Sequence, residues 1–86
     1  MAAEKTETLS SVERALALME VLGQEGPLTL TQLAERLQAS KTTVFRLAAT
    51  LAERGWVTKD EELRYSLGPS ALALGASGEG LPDLKK

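Results

Sequence analysis

Hydroxyl and cationic side chains crowd one short stretch of the chain, where Ser40, Lys41, Thr42, Thr43, Arg46 and Thr50 alternate with Val44, Leu47, Ala48 and Leu51. Such groups donate hydrogen bonds and carry positive charge, the chemistry that meets phosphate oxygens and the acceptor edges of bases. Nothing comparable points to catalysis. The 86 residues include no histidine and no cysteine, which removes imidazole acid-base chemistry, thiol nucleophiles, disulfides and thiolate zinc sites together. With no Gly-rich phosphate loop and no cluster of acids either, the expectation is a non-enzyme with no catalytic residues, no cofactor and no bound metal.

Charge sharpens this reading. The formal net charge is only −2, yet Arg36, Lys41, Arg46, Arg54 and Lys59 face a single anion, Glu53, across one segment. That segment is net +4 and the rest of the chain net −6. One basic stretch in an acidic chain suits a protein with one phosphate-facing surface and little indiscriminate affinity; an ordinary solvated face is the competing reading. The apolar runs, around Ala15 to Met19 and Ala71 to Leu74, fall far short of the roughly 20 residues a membrane helix needs. No membrane partner is expected. Met1 to Thr8 shows no secretory pattern, so a cytoplasmic location is expected.

The elements that must hold the basic stretch can be read from spacing. Ser10 and Glu13 have capping-box spacing ahead of Val12, Ala15, Leu16, Met19 and Leu22, which predicts a first helix stopped by Gly23. Leu18 and Val21 fall beside that stripe. They suit either a homodimer interface or cover beneath the C-terminal segment. After the Gly26-Pro27 turn, Thr29 and Gln32 predict a second helix buried through Leu30, Leu33, Ala34 and Leu37. Ser40 caps a third, buried through Val44, Leu47, Ala48 and Leu51 and ended by Gly55. Two helices joined by about three residues make a helix-turn-helix.

From Trp56 the period changes to that of strands. Trp56 to Thr58 and Leu63 to Leu67 flank the polar link Lys59-Asp60-Glu61-Glu62, a hairpin with Trp56, Leu63, Tyr65 and Leu67 expected to pack inward and Arg64 outward. The fold expected is mainly α with a small β-hairpin, a winged helix-turn-helix of three-helix core plus wing.

Five motifs then stand in order: Glu13-Arg14-Ala15-Leu16, Leu33-Ala34, Lys41-Thr42-Thr43-Val44-Phe45-Arg46-Leu47, Arg54-Gly55-Trp56-Val57 and Arg64-Tyr65-Ser66-Leu67-Gly68. From about Leu9 to Gly75 the chain resembles the N-terminal domain of the IclR family of bacterial transcriptional regulators. It departs at the turn, with Gln38-Ala39 where a glycine and an apolar residue are usual and Ser40 where proline is frequent. The resemblance implies a winged helix-turn-helix that binds double-stranded operator DNA as a homodimer. It also implies a linker helix, and a larger effector domain of which these 86 residues hold no recognisable part. The expected organisation is a disordered arm over 1–8, the DNA-binding domain over 9–68, the start of a linker helix over 69–78 and a flexible tail over 79–86.

On a helical wheel, the third helix turns Thr42, Arg46, Ala49 and Glu53 away from its buried stripe, flanked by Phe45 and Thr50. Taking the recognition helix as about 40–54, the expected DNA-contacting residues are Ser40, Lys41, Thr42, Thr43, Phe45, Arg46, Thr50, Arg36, Lys59 and Arg64, with Lys41 and Arg36 suited to backbone positioning and Lys59 and Arg64 on the wing to flanking phosphates or the minor groove. Arg46 can fork onto guanine or onto phosphate. Phe45 serves either the core or thymine methyl groups. Thr42 and Thr43 serve either DNA or the helix cap. Asp60-Glu61-Glu62 would repel phosphates, so the wing is expected to contribute modestly. A winged-helix module for protein interaction, without DNA readout, is the alternative function.

Overall fold

The computed structural model describes residues 9–77. Its elements, in order, are α1 (Ser10–Glu25), β1 (Leu28–Thr29), α2 (Leu30–Leu37), α3 (Lys41–Glu53), β2 (Val57–Lys59), β3 (Arg64–Leu67) and α4 (Pro69–Ser77). The expected arm over 1–8 and tail over 79–86 lie outside the described residues, as does Gly78.

Local chemistry sets most of the boundaries. At α2, the Thr29 hydroxyl accepts from the Gln32 amide at 3.2 Å while the Gln32 side chain accepts from the Thr29 amide at 2.9 Å. This closed capping box satisfies two amides that the helix itself leaves unpaired. Ser40 caps α3 in the same manner, its Oγ accepting from the Thr43 amide at 3.1 Å. Between the two helices, Gln38 adopts a left-handed conformation at φ 53 and lets the Ala39 amide reach the Ala34 carbonyl. A glutamine thus performs the turn that glycine usually makes, and the short helix-turn-helix connection survives the sequence departure.

The nine-residue core draws on six elements: Leu18 and Leu22 from α1, Leu28 from β1, Leu33 and Ala34 from α2, Val44 and Ala48 from α3, Val57 from β2 and Tyr65 from β3. The sheet runs β1-β3-β2, all antiparallel, with Tyr65 of the central strand opposite both Leu28 and Lys59. Gly68, just past β3, is tied to the segment between α3 and β2, donating its amide to the Trp56 carbonyl at 2.8 Å. A Cβ at Gly68 would collide with the Gly55 carbonyl, so only glycine allows this approach.

Four expectations need correction. α1 runs past Gly23 to Glu25 and ends at Gly26 (φ 86), whose positive φ halts the helix; at its start the N-cap is Leu9, without a side-chain cap, so no capping box forms at Ser10. The buried arc of α1 is rotated: Leu18 is fully buried, whereas Val12 and Leu16 are 51% and 58% exposed. Leu18 therefore belongs to the core of its own chain and is unavailable to a dimer interface, and Val21 is half-buried against the same core. Leu63 does not pack inward. It closes the link Asp60–Leu63 between β2 and β3 at φ 63 and is 63% exposed, because the antiparallel twist demands a left-handed residue there. Trp56, finally, is only half-buried and stands outside the core cluster.

Candidate nucleic-acid interface

α3 is held from behind and open in front. Val44 and Ala48 are fully buried and Leu47 and Leu51 half-buried, which fixes the rotation of the helix on the core. The same rotation leaves Lys41, Thr42, Phe45, Arg46, Ala49 and Thr50 exposed. Phe45, at 49% exposure, is a surface residue and not part of the core.

The hydroxyls of α3 divide into engaged and free. Ser40 accepts from the Thr43 amide and donates from Oγ to Thr43 Oγ1 at 3.0 Å, so both serve the helix start. Thr50 donates back to the Arg46 carbonyl at 2.9 Å. Thr42, exposed in the first turn, makes no side-chain hydrogen bond to another described residue.

The cations divide as well. Arg36 is clasped to Glu25 across the α1–α2 corner: Nη2 lies 2.9 Å from Oε1, and Nε donates to both carboxylate oxygens at 3.0 Å. The hydrogen bond to Glu25, with that carboxylate's charge, raises the Arg36 pKa further. Arg64 is pinned on the wing between Asp60 (3.2 Å) and Glu62 (2.9 Å). Asp60 holds the loop together, accepting from the amides of Arg64 at 3.0 Å and Glu62 at 2.8 Å. The Arg64 amide first, and then that of Glu62, hold the Asp60 carboxyl below its ordinary range. Lys59 rests its ammonium 5.3 Å from the centre of the Tyr65 ring. Lys41 and Arg46 make no ion pair with any described residue.

The structure thus gathers Ser40, Lys41, Thr42, Thr43, Phe45, Arg46 and Thr50 on α3 and its cap, and ties Arg36, Lys59 and Arg64 into contacts away from it. It also adds residues that sequence reasoning missed. A hollow of about 340 Å³ between α1 and α3 is lined by Ser11 and Arg14 of α1 together with Thr43, Arg46, Leu47 and Thr50. No spacing along the chain pairs Arg14 with Arg46, because only the crossing of the two helices brings them to one cavity. A second, more apolar groove of about 630 Å³ runs between α1 and α4, with Leu16, Trp56 and Leu74 in its wall and Glu20 and Arg54 also lining it. Among the described residues no group of three potential ligands could hold a metal, and no helix is long and apolar enough to cross a membrane.

Comparison with known proteins agrees with this architecture. Residues 11–61 match the IclR helix-turn-helix domain. The chain is 32% identical over 78 residues to the HTH-type transcriptional regulator BhcR of Paracoccus denitrificans, covering 90% of this chain and 28% of that protein. It is 32% identical over 74 residues to the HTH-type transcriptional regulator KdgR of Escherichia coli, covering 85% and 28%. Among solved structures, an IclR transcriptional regulator from Alicyclobacillus acidocaldarius superposes with a TM-score of 0.81 at 38% identity, over 90% of this chain and 32% of that one. The chain spans little more than a quarter of the length of these two curated regulators. Its helices, turn and three-stranded sheet are those of a winged helix-turn-helix, and the chain belongs to the IclR helix-turn-helix family.

Proposed function

We propose that this domain binds double-stranded DNA with sequence preference and serves transcription regulation, laying α3 in the major groove. One observation carries the reading: the outer side of α3 presents Lys41, Thr42, Phe45 and Arg46 together, with both cations free of described ion pairs. At about 1.5 Å per residue, the 13 residues of α3 extend about 20 Å, enough to lie along several base pairs. Arg46 sits mid-helix, where a guanidinium forks onto the paired acceptors of guanine, and Phe45 offers an apolar surface to thymine methyl groups. The regulator relatives support the role, and we assign no catalytic one. Residues 9–68 form the DNA-binding unit, α4 (Pro69–Ser77) is the start of a linker helix, and the protein acts in the cytoplasm.

The test is selection from a randomised duplex pool followed by fluorescence-anisotropy titration of wild type and Arg46→Ala. Wild type should enrich a sequence, and the variant should lose about 1–3 kcal/mol of discrimination with its thermal stability nearly unchanged. A folded wild type that enriches nothing would leave a protein-interaction module as the better reading.

The bound form is a homodimer on a two-fold operator. The surface that fits is the α1–α4 groove, where Leu16 and Leu74 are each about three-fifths exposed and Glu20 and Arg54 provide charges of both signs. An isologous contact brings each residue of a patch against the partner's copy of the patch, so a surface bearing one anion and one cation complements itself. Sedimentation equilibrium with the selected duplex should give two chains per duplex; one chain at saturation would overturn the dimer.

A further inference from the structure

We infer that the hollow between α1 and α3 is a seat for one backbone phosphate of the bound duplex, with Arg14 as its principal ligand. The inference rests on the DNA-binding reading and extends it to a helix outside the helix-turn-helix pair. Two guanidinium-bearing residues, Arg14 and Arg46, line one cavity without a described carboxylate paired to either. Like charges gathered in one hollow favour an anion between them. The remaining polar lining is hydroxyl: Ser11, Thr43 and Thr50. Ser11 makes no side-chain hydrogen bond to a described residue, and Thr43 Oγ1, although it accepts from Ser40, keeps its own proton to donate. A planar guanidinium with neighbouring hydroxyl donors matches the tetrahedral oxygens of a phosphodiester.

A second observation points the same way. α1 begins without a side-chain cap, so the amides of Ser10, Ser11 and Val12 have no acceptor among the described residues, while that of Glu13 is taken by the Leu9 carbonyl. The positive end of a 16-residue helix dipole therefore stands at the hollow through Ser11. A phosphate clamped there would fix the tilt and depth of α3, which is how phosphate contacts position a reader without themselves reading sequence.

The experiment compares wild type, Arg14→Gln and Arg14→Lys by anisotropy against the selected duplex and a scrambled duplex, at several salt concentrations and again with inorganic phosphate at matched ionic strength. Arg14→Gln should weaken binding to both duplexes alike, by about tenfold, and make the salt dependence shallower by about one ion, with the preference between duplexes kept. Arg14→Lys should retain the salt dependence. Added phosphate should leave every titration unchanged.

Arg14→Gln binding with wild-type affinity and salt dependence would overturn the seat while leaving the DNA reading intact. A changed preference between duplexes would make Arg14 a base reader and overturn it too. Loss of wild-type affinity in phosphate that Arg14→Gln does not share would assign the hollow to a free anion instead. Wild type that binds neither duplex would overturn both readings.

Discussion

α3 and the wing loop each carry two cations, and they use them in opposite ways. On α3, Lys41 and Arg46 face outward with only Glu53 to offset them, leaving the helix with one net positive charge. Across residues 59–64 of the wing, Lys59 and Arg64 are outnumbered by Asp60, Glu61 and Glu62, leaving one net negative charge. Lys59 is drawn over Tyr65 and Arg64 between two carboxylates. Counting basic residues therefore misjudges where affinity for a polyanion resides. What counts is a cation whose field is not already cancelled by a neighbour a few ångströms away.

Both regions depend on one core, and the largest expected effect comes from removing part of it. Leu18 is fully buried in the cluster that includes Val44 beneath α3 and Tyr65 of the wing. Leu18→Ala should cost about 2–5 kcal/mol in urea denaturation, from lost burial plus the cavity left behind. It should lower both regions together in a single transition. Leu16→Ala, on the exposed side of α1, should stay within about 0.5 kcal/mol. Equal effects of the two would return Leu18 to the surface and break the common footing of the comparison.

Those two leucines also mark where sequence alone stops being legible. The caps at Thr29 and Ser40, and the buried stripes of α2 and α3, rest on contacts within four residues, and their residues can be read directly. α1 is different. Its apolar residues span more than half of the helix circumference, so periodicity cannot choose between Leu16 and Leu18, and packing against the rest of the core decides. β1 is two residues long, too short for alternation to show, and exists because Leu28 meets Tyr65 nearly forty residues later. The candidate site divides along the same line. The exposed residues of α3 follow from its buried stripe, whereas the Arg36–Glu25 clasp and the shared hollow of Arg14 and Arg46 are products of helix crossings.

The contrast between the two pairs of cations can be sharpened by truncating one member of each. Lys41→Ala removes a free charge at the start of α3 and should weaken binding to any duplex several-fold, with a salt dependence shallower by about one ion. Arg64→Ala removes a cation already shared by Asp60 and Glu62, and the change in affinity should be less than about twofold. Anisotropy titrations at two salt concentrations separate the cases. Equal losses would mean that the wing reaches the backbone with its arginine released.

The smallest expected effect runs in the opposite direction. Glu62→Gln removes the nearer of the two Arg64 partners, at 2.9 Å, and leaves Asp60 in place to hold the loop through the amides of Glu62 and Arg64. Exposed ion pairs of this kind contribute little to stability, so the hairpin should keep its fold and the melting temperature should hardly move. The wing changes locally from one net negative charge to neutral, and Arg64 gains freedom to meet a phosphate. Affinity for a scrambled duplex should then rise by about two- to threefold at low salt and converge on wild type as salt screens the added attraction. An unchanged affinity at low salt would place the wing tip beyond reach of the backbone and leave α3, with its seat at α1, as the whole of the interface.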